Sequence, residues 1–297
     1  MSLTSVRLRE AWNWGGLSAR ELAVRTWRAI GQHETLDRAA VVAYYAMLSL
    51  VPLLGFTLAI AFGGAAGVAG QIDDLAGRFL PPEAQAIVRD QVHKIRTGSP
   101  VAVLSFSFVV LLWSASSMFV SVMDAANAAY GTRDRRPFWK RRALAAVLTV
   151  IVVVLLIAAS LSIVAWPTVM GWLGLGGVAA AVATAVQWVV VVVVLLACFA
   201  AAYYFGPDMG QEWEWITPGS TFGVLVLIAA SYGFRLYLHY GTSYSETYGA
   251  LAGVVLLLLW LYLAALALLV GAEINSVIEN AAPHGRARGQ RVAPRTP

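Results

Sequence analysis

Residues 101–123 read VAVLSFSFVVLLWSASSMFVSVM, and the reading of this stretch decides the fold. A helix of that length reaches across the hydrocarbon core of a bilayer, about 30 Å thick. The run is not uniformly apolar. Ser107, Ser114, Ser117 and Ser121 lie within it, and Asp124, Asn127 and Gly131 follow. Their steps of 7, 3, 4, 3, 3 and 4 place them along one helical face. Lipid penalises such a face, whereas protein or water accepts it. The stretch therefore predicts a helix in a membrane bundle with a polar seam, formed by Ser107, Ser114, Ser117, Ser121, Asp124 and Asn127. Serines also permit close helix contact, so a packing seam and a substrate path both fit.

The rest of the chain agrees with a membrane class. Of its 297 residues 59% are hydrophobic and 12% charged; soluble domains carry about 25% charged residues. The mean hydropathy is +0.71. Apolar runs predict six spans, near 39–63, 101–123, 143–166, 178–205, 216–237 and 248–272. Lys and Arg are divided 16 to 5 between the two sets of connecting segments. The basic set comprises the N-terminal segment, the loop between spans two and three, and the tail. The positive-inside rule puts both termini in the cytoplasm. The net charge of +5 thus reads as topology and as attraction to anionic headgroups, not as specific nucleic-acid binding. No apolar core precedes residue 39, so the first span reads as an uncleaved anchor.

Flanking pieces complete the expected organisation: a cytoplasmic segment over 1–38, a six-helix membrane domain over 39–280 and a disordered basic tail over 281–297. Residues 18–34 predict an amphipathic helix, with a capping box at Ser18 and Glu21. Ala23, Val24, Trp27 and Ile30 share a face that would suit either the lipid interface or the cytoplasmic loops. Residues 64–100 predict two short amphipathic helices broken at Pro81-Pro82, a lid or a cap over the outer mouth.

Chemistry-bearing groups are few. Tyr45, Ser49 and Pro52 share a face of the first span, and Pro52 crowds the carbonyl of Leu48, predicting a kink. Asp124 ends the seam and faces the basic residues at 133–142 as an ion-pair partner. With Glu273 it is the candidate coupling acid for protons. The GxxxG patterns at Gly63–Gly67, Gly219–Gly223 and Gly249–Gly253 allow close backbone approach, and the latter two belong to opposite membrane faces. His33, His93, His239 and His284 lack metal-ligand spacing, and Cys198 sits alone in an apolar run. No phosphate-binding or nucleophile motif occurs, so the sequence implies neither an enzyme nor a cofactor.

Several segments resemble the YihY/BrkB-like bacterial inner-membrane proteins, historically labelled ribonuclease BN-like. They are LDRAAVVAYYAMLSLVPLL (36–54), LLWSASSMFVSVMDAANAAYG (111–131), PFWKRRAL (137–144), WEWITPGSTFGVL (213–225), SYSETYGALAGVVLLLLWLY (243–262) and GAEINS (271–276). YYFGPD (203–208) departs from the pattern in lacking a basic residue before its Pro. The resemblance implies six spans in the bacterial cytoplasmic membrane and links to envelope lipid export and virulence-related resistance. Seam, kink and outer loop together predict a transporter or flippase for a lipid or other amphiphile. A non-transporting scaffold, homo-oligomeric through its small-residue faces, is the alternative, and a membrane-associated nuclease ranks last.

Overall fold

The computed structural model describes residues 12–63, 100–173, 177–209, 216–240 and 250–282. Among these the chain is helical, without strands. A 3-10 turn at Trp14–Gly16 precedes α1 (Ala19–Gln32), α2 (Thr35–Gly63), α3 (Pro100–Ala129), α4 (Phe138–Leu173), α5 (Gly177–Phe205), α6 (Pro218–Tyr240) and α7 (Ala250–Ala281). Helices occupy each of the six expected spans. Among the described residues four stretches, Phe108–Ala129, Ala181–Phe205, Pro218–Tyr237 and Gly253–Ala281, are long and apolar enough to cross a membrane. The predicted outer-loop helices at 64–100 and the tail from 283 lie outside the described residues, apart from Pro100 at the start of α3.

Three helices outrun their apolar cores. α3 continues to Ala129, α4 starts at Phe138, and α7 runs to Ala281. The expected boundaries stopped at the first charged residues. The backbone continues because charged side chains at a helix end reach water or one another without breaking the helix. Asp124, Asn127, Lys140 to Arg142, Glu273 and Asn275 are therefore all helical. They gather at one end of the bundle, termed here the basic end.

α7 organises the packing, touching α1, α2, α3, α6 and the opening turn, while α3 packs on both α2 and α4. The core is built largely from alanine and valine. Ala39 and Val42 of α2 meet Val122, Ala125 and Ala129 of α3, Ala202 and Tyr203 of α5, and Ala265, Leu269 and Ala272 of α7. A second cluster joins Phe119 and Met123 of α3 to Ala145 and Leu148 of α4. Small side chains bring helix axes close, which is how helices associate where lipid is as apolar as leucine. Large apolar residues such as Val109, Trp113, Val189 and Val255 remain exposed on the outside, as lipid requires.

The capping box of α1 is formed: the Glu21 backbone N–H donates to Ser18 Oγ at 3.3 Å, and the Ser18 N–H donates to Glu21 Oε2 at 2.9 Å. The Ser18 bonds hold the Glu21 carboxyl below its ordinary value. The expected apolar face is split. Thr26 and Ala29 face the bundle and Ile30 is half-buried, while Ala23, Val24 and Trp27 point outward. α1 thus docks on α7 and α2 and still presents an apolar edge.

Candidate functional site

The seam of α3 divides into three parts. Ser107 lies on α3 with its side chain outside the described residues, and Ser114 is half-buried. Ser117 and Ser121 turn their hydroxyls back on the helix. Ser117 Oγ donates to the Trp113 carbonyl at 2.8 Å and Ser121 Oγ to the Ser117 carbonyl at 3.0 Å, a local bond that competes weakly with the helix ladder. Ser49 of α2 does the same toward Ala46 at 2.7 Å, and helix α2 continues through Pro52. Asp124 is exposed and pairs with Arg141 of α4.

Asn127, at the basic end of the seam, is buried and works as a hub. Its Oδ1 accepts from Thr132 Oγ1 at 2.9 Å and from the Asp208 N–H at 2.7 Å, and its Nδ2 donates to Asp134 at 3.4 Å. Arg136 closes the network. It pairs with Asp134 through Nε and Nη2, at 2.9 and 3.0 Å, and donates to the carbonyls of Phe205 and Gly206 at 3.0 and 2.7 Å. Those carbonyls end α5, where a cation and its donors are favoured. The basic group missing from the YYFGPD segment is thus supplied by the α3–α4 loop, with Arg136 Nε 3.8 Å from Asp208.

Burial raises the Asp134 carboxyl, but the hydrogen bonds from the Arg136 side chain and N–H, and the charges of Arg136 and Arg141, outweigh it and hold the group below its ordinary 3.8. A depressed carboxylate contributes stability above its unfolded value and loses that contribution as pH falls through the folded value. Arg136 and Asp134 side chains are only 11% and 10% exposed. Arg136→Ala removes two charged hydrogen bonds from Asp134 and leaves it Arg141 and Asn127, with an expected cost of about 1.5–3 kcal/mol at neutral pH. Thermal unfolding in detergent should show a lowered midpoint for the variant, and the gap to the wild type should close as pH drops below the ordinary carboxylate range.

Arg142 differs from its neighbours. Its Nη2 donates to the Trp113 carbonyl at 2.6 Å and to Ser117 Oγ at 2.9 Å, and its guanidinium lies 3.9 Å from the centre of the Trp113 ring. Tyr45 of α2 is within electrostatic range of the same cation. No carboxylate among the described residues pairs with it, and its Nε is buried without an acceptor. A guanidinium carries five donor hydrogens, and the two bonds here leave most of them free. The Trp113 carbonyl is also claimed by Ser116 and Ser117. Arg142 is half-buried, so stacking on tryptophan, worth about 0.5–2 kcal/mol, offsets part of what its desolvation costs. An anion arriving at Arg142 would thus find unsatisfied donors. The structure brings Ser117 and Arg142 into contact, with Tyr45 within electrostatic range of the cation.

Glu273 joins a different cluster. It is 1% exposed, accepts from Thr35 Oγ1 at 2.9 Å and sits 2.9 Å from His33 Nδ1. Neighbours on α7 complete the basic end. Asn275 Oδ1 accepts the Gly219 N–H at 2.8 Å and its Nδ2 donates to Thr217 Oγ1 at 2.9 Å, fastening the start of α6. Ser276 Oγ donates to the Ala129 carbonyl at 2.6 Å. The GAEINS segment is therefore a lock joining α7 to α2, α3 and α6. Of these groups, Arg142, Arg136, His33 and Asn275 were not singled out as site residues in the sequence. Their partners lie 25 or more residues away, except for Asp134 beside Arg136, and no local spacing reports them.

A polytopic helical membrane protein with a charged, hydrogen-bonded lock at one end, and an arginine that meets its polar seam without a carboxylate partner among the described residues, is the class these features define. The chain belongs to the family described as Virulence factor BrkB, which it matches over residues 26–296. It is 29% identical to the ribonuclease-like protein YfkH of Bacillus subtilis (strain 168), covering 83% of this chain and 90% of that one. It is 27% identical to a UPF0761 membrane protein of Laribacter hongkongensis, over 84% of this chain but 59% of the relative. A UPF0761 membrane protein of Tolumonas auensis is 24% identical over 95% of this chain and 92% of its own length. No solved structure matches the chain.

Proposed function

We propose that this protein is an inner-membrane transporter or flippase for an amphiphile with an anionic headgroup, and that Arg142 receives that headgroup. Six helices cross the membrane in this reading, with both termini and the basic end in the cytoplasm, as the 16-to-5 split of basic residues favours. The observation that carries it is Arg142, a cation without a carboxylate partner among the described residues, bonded to the seam serine Ser117 and within electrostatic range of the kink-face residue Tyr45. The apolar tail would stay among the exposed side chains beside Trp113 while the headgroup follows the polar face of α3. Asp124, paired with Arg141, serves in this scheme to hold α4 against α3; coupling to protons is assigned to neither Asp124 nor Glu273.

The scaffold reading keeps one observation in its favour. Ser116, Ser117 and Ser121 all bond within α3, as serines of a dry packing seam do. Water access separates the two. In a Cys198→Ala background, Ser114→Cys and Ser121→Cys should react with a membrane-impermeant thiol reagent, and an anionic amphiphile should protect them. Thiols that stay unreactive in a folded protein would favour the scaffold.

A further inference from the structure

A cavity of 420 Å³ lies between α1 and α7, floored by the turn at Ala129–Gly131 and separate from the seam. That volume falls within the roughly 300–1,000 Å³ of small-molecule sites. Its walls carry two kinds of group. Arg25 and Arg28 of α1 stand on the exposed side, and neither forms a salt bridge among the described residues. Deeper lie Glu273, His33, Ser276 and Asn280.

Asn280 is the informative member. Its Nδ2 donates to Ser276 Oγ at 3.3 Å, and Ser276 Oγ has already spent its hydrogen on the Ala129 carbonyl. This fixes the amide orientation, because the serine oxygen has only acceptor capacity left. Asn280 Oδ1 is then a buried acceptor without a donor. Near it, the Glu273 carboxylate accepts from His33 and Thr35 and retains unused lone pairs. The cavity thus has at its mouth two cations that pair with no carboxylate among the described residues, and, buried in its wall, one orphaned acceptor beside a carboxylate with spare lone pairs. The complementary ligand is anionic at one end and donates hydrogen bonds at the other.

We propose that this cavity binds a phosphoethanolamine group, its phosphate on Arg25 and Arg28 and its ammonium on Asn280 Oδ1 and Glu273, supplied either as the free compound or as the headgroup of phosphatidylethanolamine. The outward apolar edge of α1 at Val24 and Trp27 suits a headgroup still attached to its lipid. The site is independent of the seam and of any transport along it.

Phosphocholine tests the assignment. It has the same charges, but its quaternary ammonium has no N–H to give. Isothermal titration of the full chain in uncharged detergent should show phosphoethanolamine binding at least about tenfold tighter than phosphocholine. Asn280→Leu should erase that preference, Asn280→Asp should keep it, and Arg28→Ala should weaken both compounds. Native mass spectrometry from nanodiscs identifies the source. Retention of phosphatidylethanolamine over phosphatidylcholine, without binding of the free compound, marks the lipid as the ligand. Equal affinity for the two headgroups, or failure to bind either in free or lipid form, overturns the proposal.

Discussion

Arg142→Leu is expected to abolish protein-dependent movement of an anionic amphiphile across a reconstituted bilayer while leaving a folded, monodisperse protein. A hydrogen bond to a charged partner contributes about 1.5–3 kcal/mol, and each 1.4 kcal/mol is a factor of about ten in rate. Losing even one such bond in the transition state of transfer predicts a drop of at least about tenfold. The fold should survive because Arg142 forms no ion pair among the described residues, unlike Arg136 and Arg141. Arg142→Lys retains charge but loses the flat guanidinium that stacks on the Trp113 ring. Its rate should fall between the two. Flux unchanged in Arg142→Leu would remove the arginine from the path.

The second large effect is structural. Gly219 and Gly271 bring α6 and α7 into backbone contact. A Cβ on Gly219 would overlap the Gly271 carbonyl oxygen and the Asn275 amide, and a Cβ on Gly271 would overlap the Tyr203 hydroxyl and the Gly219 carbonyl. One helical turn on, a Cβ on Gly223 would come within 2.9 Å of the Ala267 carbonyl oxygen. Carbonyls held in helices cannot step aside, so Gly219→Leu or Gly271→Leu should cost more than the about 1–3 kcal/mol typical of overpacking. The Asn275 bonds that fasten α6 would be lost with the contact. Both variants should aggregate or elute heterogeneously on size exclusion. Gly253→Ala, with open space at its Cβ position, should behave as the wild type.

The helices were legible because apolar length is a local property. The α3 stripe was legible because helical spacing places its members on one face. What the stripe meets was not. Asn127 reads as one more polar residue until Asp208 arrives from 81 positions away. Glu273 reads as a helix-end acid until His33 arrives from 240 positions away. The glycine contact shows the same limit. Gly219–Gly223 matched a known pattern, but its partners are Ala267 and Gly271, a pair that the GxxxG pattern omits because alanine replaces one glycine. The face of α1 was divided because Thr26 and Ala29, small enough for close docking, took the protein side and left Trp27 outside.

The central claim is that an amphiphile crosses the membrane along the seam, and lipid movement tests it most directly. Purified protein is placed in liposomes with fluorescent phospholipids, and a bleaching reagent confined to the outside is added. Protein-free vesicles lose about half of the signal, the share of the outer leaflet. The account predicts that vesicles containing the protein lose more than this, faster for an anionic than for a neutral headgroup, and that the excess disappears with Arg142→Leu. Bleaching that stops at the protein-free level for every headgroup, with folded protein in every vesicle, would contradict it.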